Sequence, residues 1–266
     1  MVSSLTIVFS VITLLLSLIF PIALAIYFCR KHKAPATSVL FGALTFFVFQ
    51  LVLRIPLLQI LSPIYPGKQP VAEFGWWKLF LYSLFLAVTA ALFEEGGRVI
   101  VYKIFLKKKG DWKNAVAFGI GHGGFEAISI VGISYINNLI LMLMINLGFL
   151  SASGNAEDPI SQAVRLMIDT PSYLFLLAGI ERFFTIILHV GFSLLVVYGM
   201  SSKKYIYILY AFLGHFILNF PLAFFQRIAG GVYISMAYIG LLAALSYYWI
   251  TRVSPHMFSK FYSGEE

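Results

Sequence analysis

Long apolar runs separated by short polar breaks occupy nearly the whole chain. Seven of them could each cross a bilayer: about 4–28, 38–62, 77–106, 114–150, 171–200, 205–226 and 231–252. A span needs about 20 mostly apolar residues, because ~30 Å of hydrocarbon is crossed at 1.5 Å per helical residue. The pattern predicts an all-α polytopic membrane protein with seven transmembrane helices, a single domain over residues 1–266. The first run is read as a span and not as a signal peptide. It lacks a basic n-region, is too long, and is followed by no small-residue cleavage site.

The fourth run, residues 114–150, would measure ~55 Å as one helix. It is expected to tilt, to extend beyond the bilayer, or to break near Gly132 or Asn137–Asn138. The stretch 151–170 after it is polar, with Glu157, Asp158 and Asp169. A short interfacial helix is expected over Ile160 to Ile168. Pro56 and Pro221 are expected to kink or end their spans.

Composition narrows the class. Apolar residues make up 60% and charged residues only 11%, against about a quarter in soluble domains. A soluble enzyme, a disordered tail and a nucleic-acid binder are excluded. The formal charge of +8 comes from short basic clusters between apolar runs, which are topology markers. With the N-terminus outside, the inner side receives Arg30, Lys31, Lys33, Lys103, Lys107, Lys108, Lys109, Lys113, Lys203, Lys204, Arg252 and Lys260. The outer side keeps Lys68, Lys78, Arg165 and Arg227. That bias predicts an outside N-terminus and a cytoplasmic C-terminus in a multi-pass cell-membrane protein. The single cysteine, Cys29, excludes an internal disulfide and a cysteine-rich zinc site.

Some charge does not stay in the loops. Arg54, Arg98, Arg182, Glu94, Glu95, Glu126 and Glu181 fall inside predicted spans, with His122, His189 and His215. Each central charge costs roughly 2.5–3.5 kcal/mol on insertion scales, so such residues must pair or face a wet cavity. Counting rise from the inner boundary puts Glu95 at ~17 Å, His122 at ~12 Å, Glu126 at ~18 Å and His189 at ~20 Å. The same count gives ~15 Å for His215 and ~21 Å for Asn219. Four helices thus bring polar side chains to one layer, the polar core lying within residues 85–225.

Spacing within each helix agrees. Glu94 and Arg98 are i,i+4, and Glu95 is i,i+3 from the same arginine. His122 with Glu126, and His215 with Asn219, are also i,i+4, while Arg182 and His189 share a face seven residues apart. Glu181 lies at a depth similar to Arg54, and the two are expected to pair. Two carboxylates and three histidines in a dry layer suit general-base activation of water, with His and Asn donors stabilising an oxyanion. Gly119, Gly121, Gly123 and Gly124 thin the helix around His122, so a substrate backbone or another helix can come close.

The strings Glu94-Glu95-x-x-Arg98, Phe118-x-x-x-His122 and His215-x-x-x-Asn219 resemble those of the intramembrane CAAX-protease and bacteriocin-processing superfamily. With Gly121-His122-x-x-x-Glu126 and Glu181-Arg182 followed by His189, the pattern is most similar to its YhfC branch. That branch is regarded as intramembrane metalloproteases and is related to the Aph subunit of gamma-secretase. The resemblance implies that Glu94 activates water, His122 assists or shares the proton, His215 and Asn219 form the oxyanion hole, and Arg98 holds the glutamate pair. The broader superfamily has three residues between the second Glu and Arg, whereas this chain has two. Which of Glu94 and Glu95 is the base is therefore left open.

The resulting reading is an intramembrane peptidase acting on a membrane-anchored peptide or protein, with the lipid bilayer as its other partner. Its catalytic candidates are Glu94, Glu95, Arg98, His122, Glu126, His189, His215 and Asn219, supported by Glu181 and Arg182. No cofactor is certain. Zinc is a candidate, with His122, Glu126, His189 and His215 as an N/O ligand set, although no His-Glu-x-x-His string exists. The alternatives are a non-catalytic Aph-like scaffold holding a partner protein and a proton-coupled transporter. The absence of paired discontinuous helices in two similar halves counts against the transporter.

Overall fold

A computed structural model describes residues 1–62, 71–106, 110–151 and 158–264. Lys68, Lys107, Lys108 and Lys109, used above for topology, and Glu157 of the polar stretch lie outside the described residues. Among the described residues the structure is helical, with no strand. Seven helices are long and apolar enough to cross a membrane: Ser4–His32, Ala36–Leu61, Trp76–Leu106, Trp112–Asn146, Ser172–Ser202, Ile206–Phe225 and Gly231–Ser263.

Three boundaries differ from the sequence reading by four residues or more, and the fourth span is one of them, ending at Asn146. The first span continues through Arg30, Lys31 and His32, and the seventh runs on to Ser263. Basic and polar residues there keep their helical hydrogen bonds while leaving the apolar layer, which hydropathy alone does not register. The fourth span is not broken at Asn137–Asn138; it carries a wide i→i+5 turn over Ala127–Gly132. The polar segment after it forms the expected short helix, Pro159–Asp169, with Val164 and Met167 buried on one face. The Asp158 side chain caps this helix by accepting from the Ser161 N–H at 2.8 Å.

Among the described residues the spans carry five wide turns, and three lie just before a proline. Leu15–Ile19 precedes Pro21, Phe47–Arg54 precedes Pro56 and Trp249–Val253 precedes Pro255. A proline offers no N–H and its ring crowds the carbonyl four residues back, so the helix widens there. Pro56 therefore re-registers its span without ending it. Pro221 does end a regular helix, Ile206–Asn219, and a short turn Leu222–Phe225 follows.

The fifth span is the axis of the bundle. The fourth packs along it with Gly123, where an added Cβ would sit 3.0 Å from the Ile186 Cα and 3.0 Å from the His189 Cβ. On the other side of the fourth span, Gly121 meets the Val39 backbone and Gly42 of the second span meets the Phe118 carbonyl. The glycines around His122 thus serve helix crossings that place His122 against the fifth span. The first span joins through Thr13, whose Oγ1 donates to the Phe175 carbonyl at 2.6 Å.

A buried glutamate–histidine centre

The third, fourth, fifth and sixth spans bring Glu94, His122, His189 and His215 together, as equal depth predicts. His122 is fully buried, and Glu94, His189 and His215 are no more than 3% exposed. Glu94 Oε2 lies 3.0 Å from His122 Nε2 and 3.8 Å from His189 Nδ1. Its other oxygen, Oε1, accepts from Gln50 Nε2 at 3.0 Å and lies 3.7 Å from His215 Nε2.

Glu94 and Glu95 occupy different settings on one helical turn. Glu95 takes the close ion pair with Arg98 Nη1 and accepts from His215 Nδ1 at 2.8 Å. Arg98 Nη2 stands 4.0 Å from Glu94 Oε2. The guanidinium is completed by Ser193 Oγ at 3.2 Å from Nε and His189 Nδ1 at 2.8 Å from Nη2. Accepting from Arg98 leaves the His189 proton on Nε2, which lies 2.5 Å from Glu126 Oε2. That is a close polar contact and not a directed hydrogen bond, since Glu126 Oε2 is a buried oxygen without one. Donating Nδ1–H to Glu95 turns His215 Nε2 toward Glu94.

Behind this layer, Arg182 Nη1 donates to Glu126 Oε1 at 2.8 Å and Nη2 donates to Glu181 Oε1 at 2.6 Å. The expected Arg54–Glu181 pair does not form. Glu181 is taken by its own neighbour, whose long side chain reaches back, and Arg54 is held by the second and third spans. Arg54 Nη1 donates to Gln50 Oε1 at 3.2 Å, so an amide links it to Glu94. Gln50 escaped the sequence reading because a neutral amide adds nothing to a charge inventory. Its i,i+4 spacing from Arg54 inside an apolar run was the available signal. Phe192, stacked on His215 at 5.2 Å, and Phe46, edge-on to His122 at 5.4 Å, were hidden among many packing aromatics.

A cavity of about 440 Å³ opens beside the cluster. Glu94, His189, His215 and Asn219 line its deep end, Arg54, Glu126 and Arg182 also line it, and Val71 and Gln226 lie toward the face that carries the N-terminus. An apolar groove of about 510 Å³ between the first, second and fourth spans contains none of these glutamates or histidines.

Glu94, His122 and His189 each offer one ligand atom, all within 4.8 Å of one another. A tetrahedral ion with donors at ~2.0–2.1 Å separates them by about 3.3 Å. The 3.0 and 3.8 Å distances from Glu94 Oε2 to His122 Nε2 and His189 Nδ1 bracket that value. Glu126 stands beside the far nitrogen of His189, the side from which a carboxylate supports a ligating imidazole, in contact though without a directed hydrogen bond. The spacing fits a divalent ion provided Arg98 Nη2, 2.8 Å from His189 Nδ1, gives up that nitrogen, and the set is not the one expected. Glu94 takes the third place, while Glu126 and His215 touch its members from outside because their helices present them a layer away.

The pattern of the YhfC intramembrane metalloprotease family matches residues 16–242, the stretch that carries every member of this cluster. The chain belongs to that family. An uncharacterized membrane protein YhfC of Bacillus subtilis (strain 168) is 34% identical over 259 residues, covering 95% of this chain and 98% of the relative. No solved structure matches. As a YhfC family member and a multi-pass membrane protein, the chain combines a family name that specifies metal and proteolysis with a Glu–His–His group able to hold an ion.

Proposed function

We propose that this chain is an intramembrane peptidase that uses Glu94 to activate water on a peptide bond brought into the 440 Å³ cavity. The observation that carries this reading is the division of labour between adjacent glutamates. Arg98 and His215 engage Glu95, whereas Glu94 lines the cavity with Oε1 toward Gln50 and His215.

In this reading Glu94 Oε1 takes the proton of an attacking water, and His122, bonded to Oε2, shares it when that nitrogen is not holding an ion. Proton return to the leaving amine completes hydrolysis. His215 donates from Nε2 to the developing oxyanion when doubly protonated, a form that Glu95 stabilises through Nδ1. Asn219, one turn further on, supplies an amide donor from the same cavity wall. Arg98 acts as a positioning residue, fixing Glu95 and His189. Glu94, His122 and His189 would hold a zinc-like ion, which when bound polarises a carbonyl as a Lewis acid and acidifies water.

One observation favours a second reading, a non-catalytic scaffold: Arg98 already occupies the His189 nitrogen that faces Glu94. Purified protein in proteoliposomes, given a pool of membrane-anchored peptides, separates the two. Cleavage by the wild type and its loss in Glu94→Gln, with unchanged folding, supports the peptidase. Equal product from both proteins would sink it.

A further inference from the structure

The three intramembrane arginines are not compensated alike. Arg98 pairs with Glu95, and Arg182 pairs with Glu126 and Glu181. Arg54 has no carboxylate within ion-pair distance among the described residues, although it is only 9% exposed. Its partners are neutral: Gln50 Oε1 at 3.2 Å, Thr89 Oγ1 at 3.2 Å and the Leu86 carbonyl at 2.9 Å. Those bonds use three of the five N–H donors of a guanidinium. Holding Gln50 needs one donor and no charge. Glu94 attracts it from beyond contact distance, with Gln50 between them, but no carboxylate among the described residues meets the guanidinium directly, as buried cations usually require.

Arg54 also lines the same cavity as Glu94. Its contacts, Leu86 and Thr89, precede Glu94 in one continuous helix, so Arg54 lies on the side of the mouth. The five-residue step from Thr89 to Glu94 is a rise of ~7.5 Å. About two residues of extended chain, at ~3.3–3.6 Å each, cover that distance.

We propose that Arg54 is an anion subsite that receives a carboxylate of the substrate, about two residues from the bond presented to Glu94. This rests on the peptidase reading of the cavity. The carboxylate can be the C-terminus of the chain or an acidic side chain, and both supply the planar acceptor that a guanidinium fork matches. Bound there, it gives Arg54 the direct carboxylate partner it lacks among the described residues and fixes the register of the segment below it.

The test measures binding separately from cleavage, on the full chain in nanodiscs. The probes are dansyl-Leu-Leu-Leu with a free C-terminus, its C-terminal amide, and dansyl-Leu-Glu-Leu-amide. Fluorescence anisotropy reports affinity, and chromatography of the same samples reports cleavage. At least one carboxylate probe should bind roughly ten-fold or more tightly than the uncharged amide, the size of one hydrogen bond to a charged group. Which probe shows that preference distinguishes the terminal from the side-chain source. Arg54→Gln should abolish the preference and Arg54→Lys should keep part of it. Should Arg54→Gln fail to fold, the wild-type comparison and Arg54→Lys still decide. Equal binding of acid and amide, no binding of any probe at millimolar concentration, or full preference in Arg54→Gln overturns the subsite. Carboxylate preference without cleavage of any substrate counts against the peptidase reading alone, and cleavage without the preference counts against Arg54 alone.

Discussion

Glu95, and not Glu94, makes the close ion pair with Arg98, although both glutamates lie within reach on the same turn. The two-residue gap puts Arg98 i,i+4 from Glu94 and i,i+3 from Glu95, and spacing alone left the choice between them open. The guanidinium leans toward Glu95 because Ser193 and His189 of the fifth span fix its other nitrogens. Glu94 is thereby left at the cavity.

The two glutamates should separate in mutants. Glu94→Gln should lower cleavage by at least about 10²-fold, the scale of a lost general base, with little change in thermal unfolding. Glu95→Gln strips Arg98 of its buried partner and should cost roughly 3–5 kcal/mol of stability. Unfolding in detergent followed by intrinsic fluorescence measures both. The reverse pattern would exchange their roles.

Removing the carboxylate beside His189 should weaken metal binding. Glu126→Gln is expected to reduce zinc affinity by about 10–100-fold, as loss of an outer partner of a ligating histidine does. Competition against a fluorescent chelator reads this directly. Unchanged affinity would show that His189 does not ligate.

Gln50 is a positioning residue with a distinct signature. Gln50→Leu leaves a buried carboxylate oxygen and a guanidinium nitrogen each short of one bond, at about 1–3 kcal/mol per unsatisfied group. Cleavage should fall mainly through kcat, and Gln50→Asn should not rescue because it is one methylene shorter. A variant with wild-type kcat would dismiss the role.

Glycines on one bundle should respond oppositely to alanine. At Gly121 an added Cβ meets the Val39 backbone, which neither helix can move cheaply, so Gly121→Ala should cost about 1–3 kcal/mol. At Gly96 nothing lies within 4 Å, so Gly96→Ala should be neutral or stabilise by up to about 1 kcal/mol. Paired Tm measurements test the contrast.

Acid should loosen the short helix Pro159–Asp169 before the spans. The Ser161 backbone N–H, the first of its hydrogen bonds, holds the Asp158 carboxyl below its ordinary value of 3.8. A depressed carboxylate contributes stability above that value and loses it as pH falls through the lower folded one. Amide exchange at Ser161 should therefore be faster at pH 3 than the pH dependence of free peptides predicts, and Asp158→Asn should remove that excess.

The seven spans and the common depth of Glu94, His122, His189 and His215 were legible because apolar run length and rise per residue are geometric. Contacts across helices were not. The wide turn over Phe47–Arg54 shifts which face carries Arg54, so no period of 3.6 finds Thr89 of the third span as its partner. Glu181 and Arg182 are neighbours that point about 100° apart on a helix. Only the reach of the arginine side chain joins them. Glu126 and His215 stand one layer from the metal-competent group, a difference smaller than depth counting resolves.

The fifth span is 72% buried over its most apolar window, while no other span exceeds 28%. It also carries Arg182 and His189, whose partners are Glu126 and Arg98 of earlier spans. Such a helix has poor lodging in bare lipid. During biogenesis it can settle only once the third and fourth spans are in place to receive it, so chain order doubles as assembly order. The sixth and seventh spans then close around it, and the chemical centre comes into being late, when a nearly complete bundle already shields it from the bilayer.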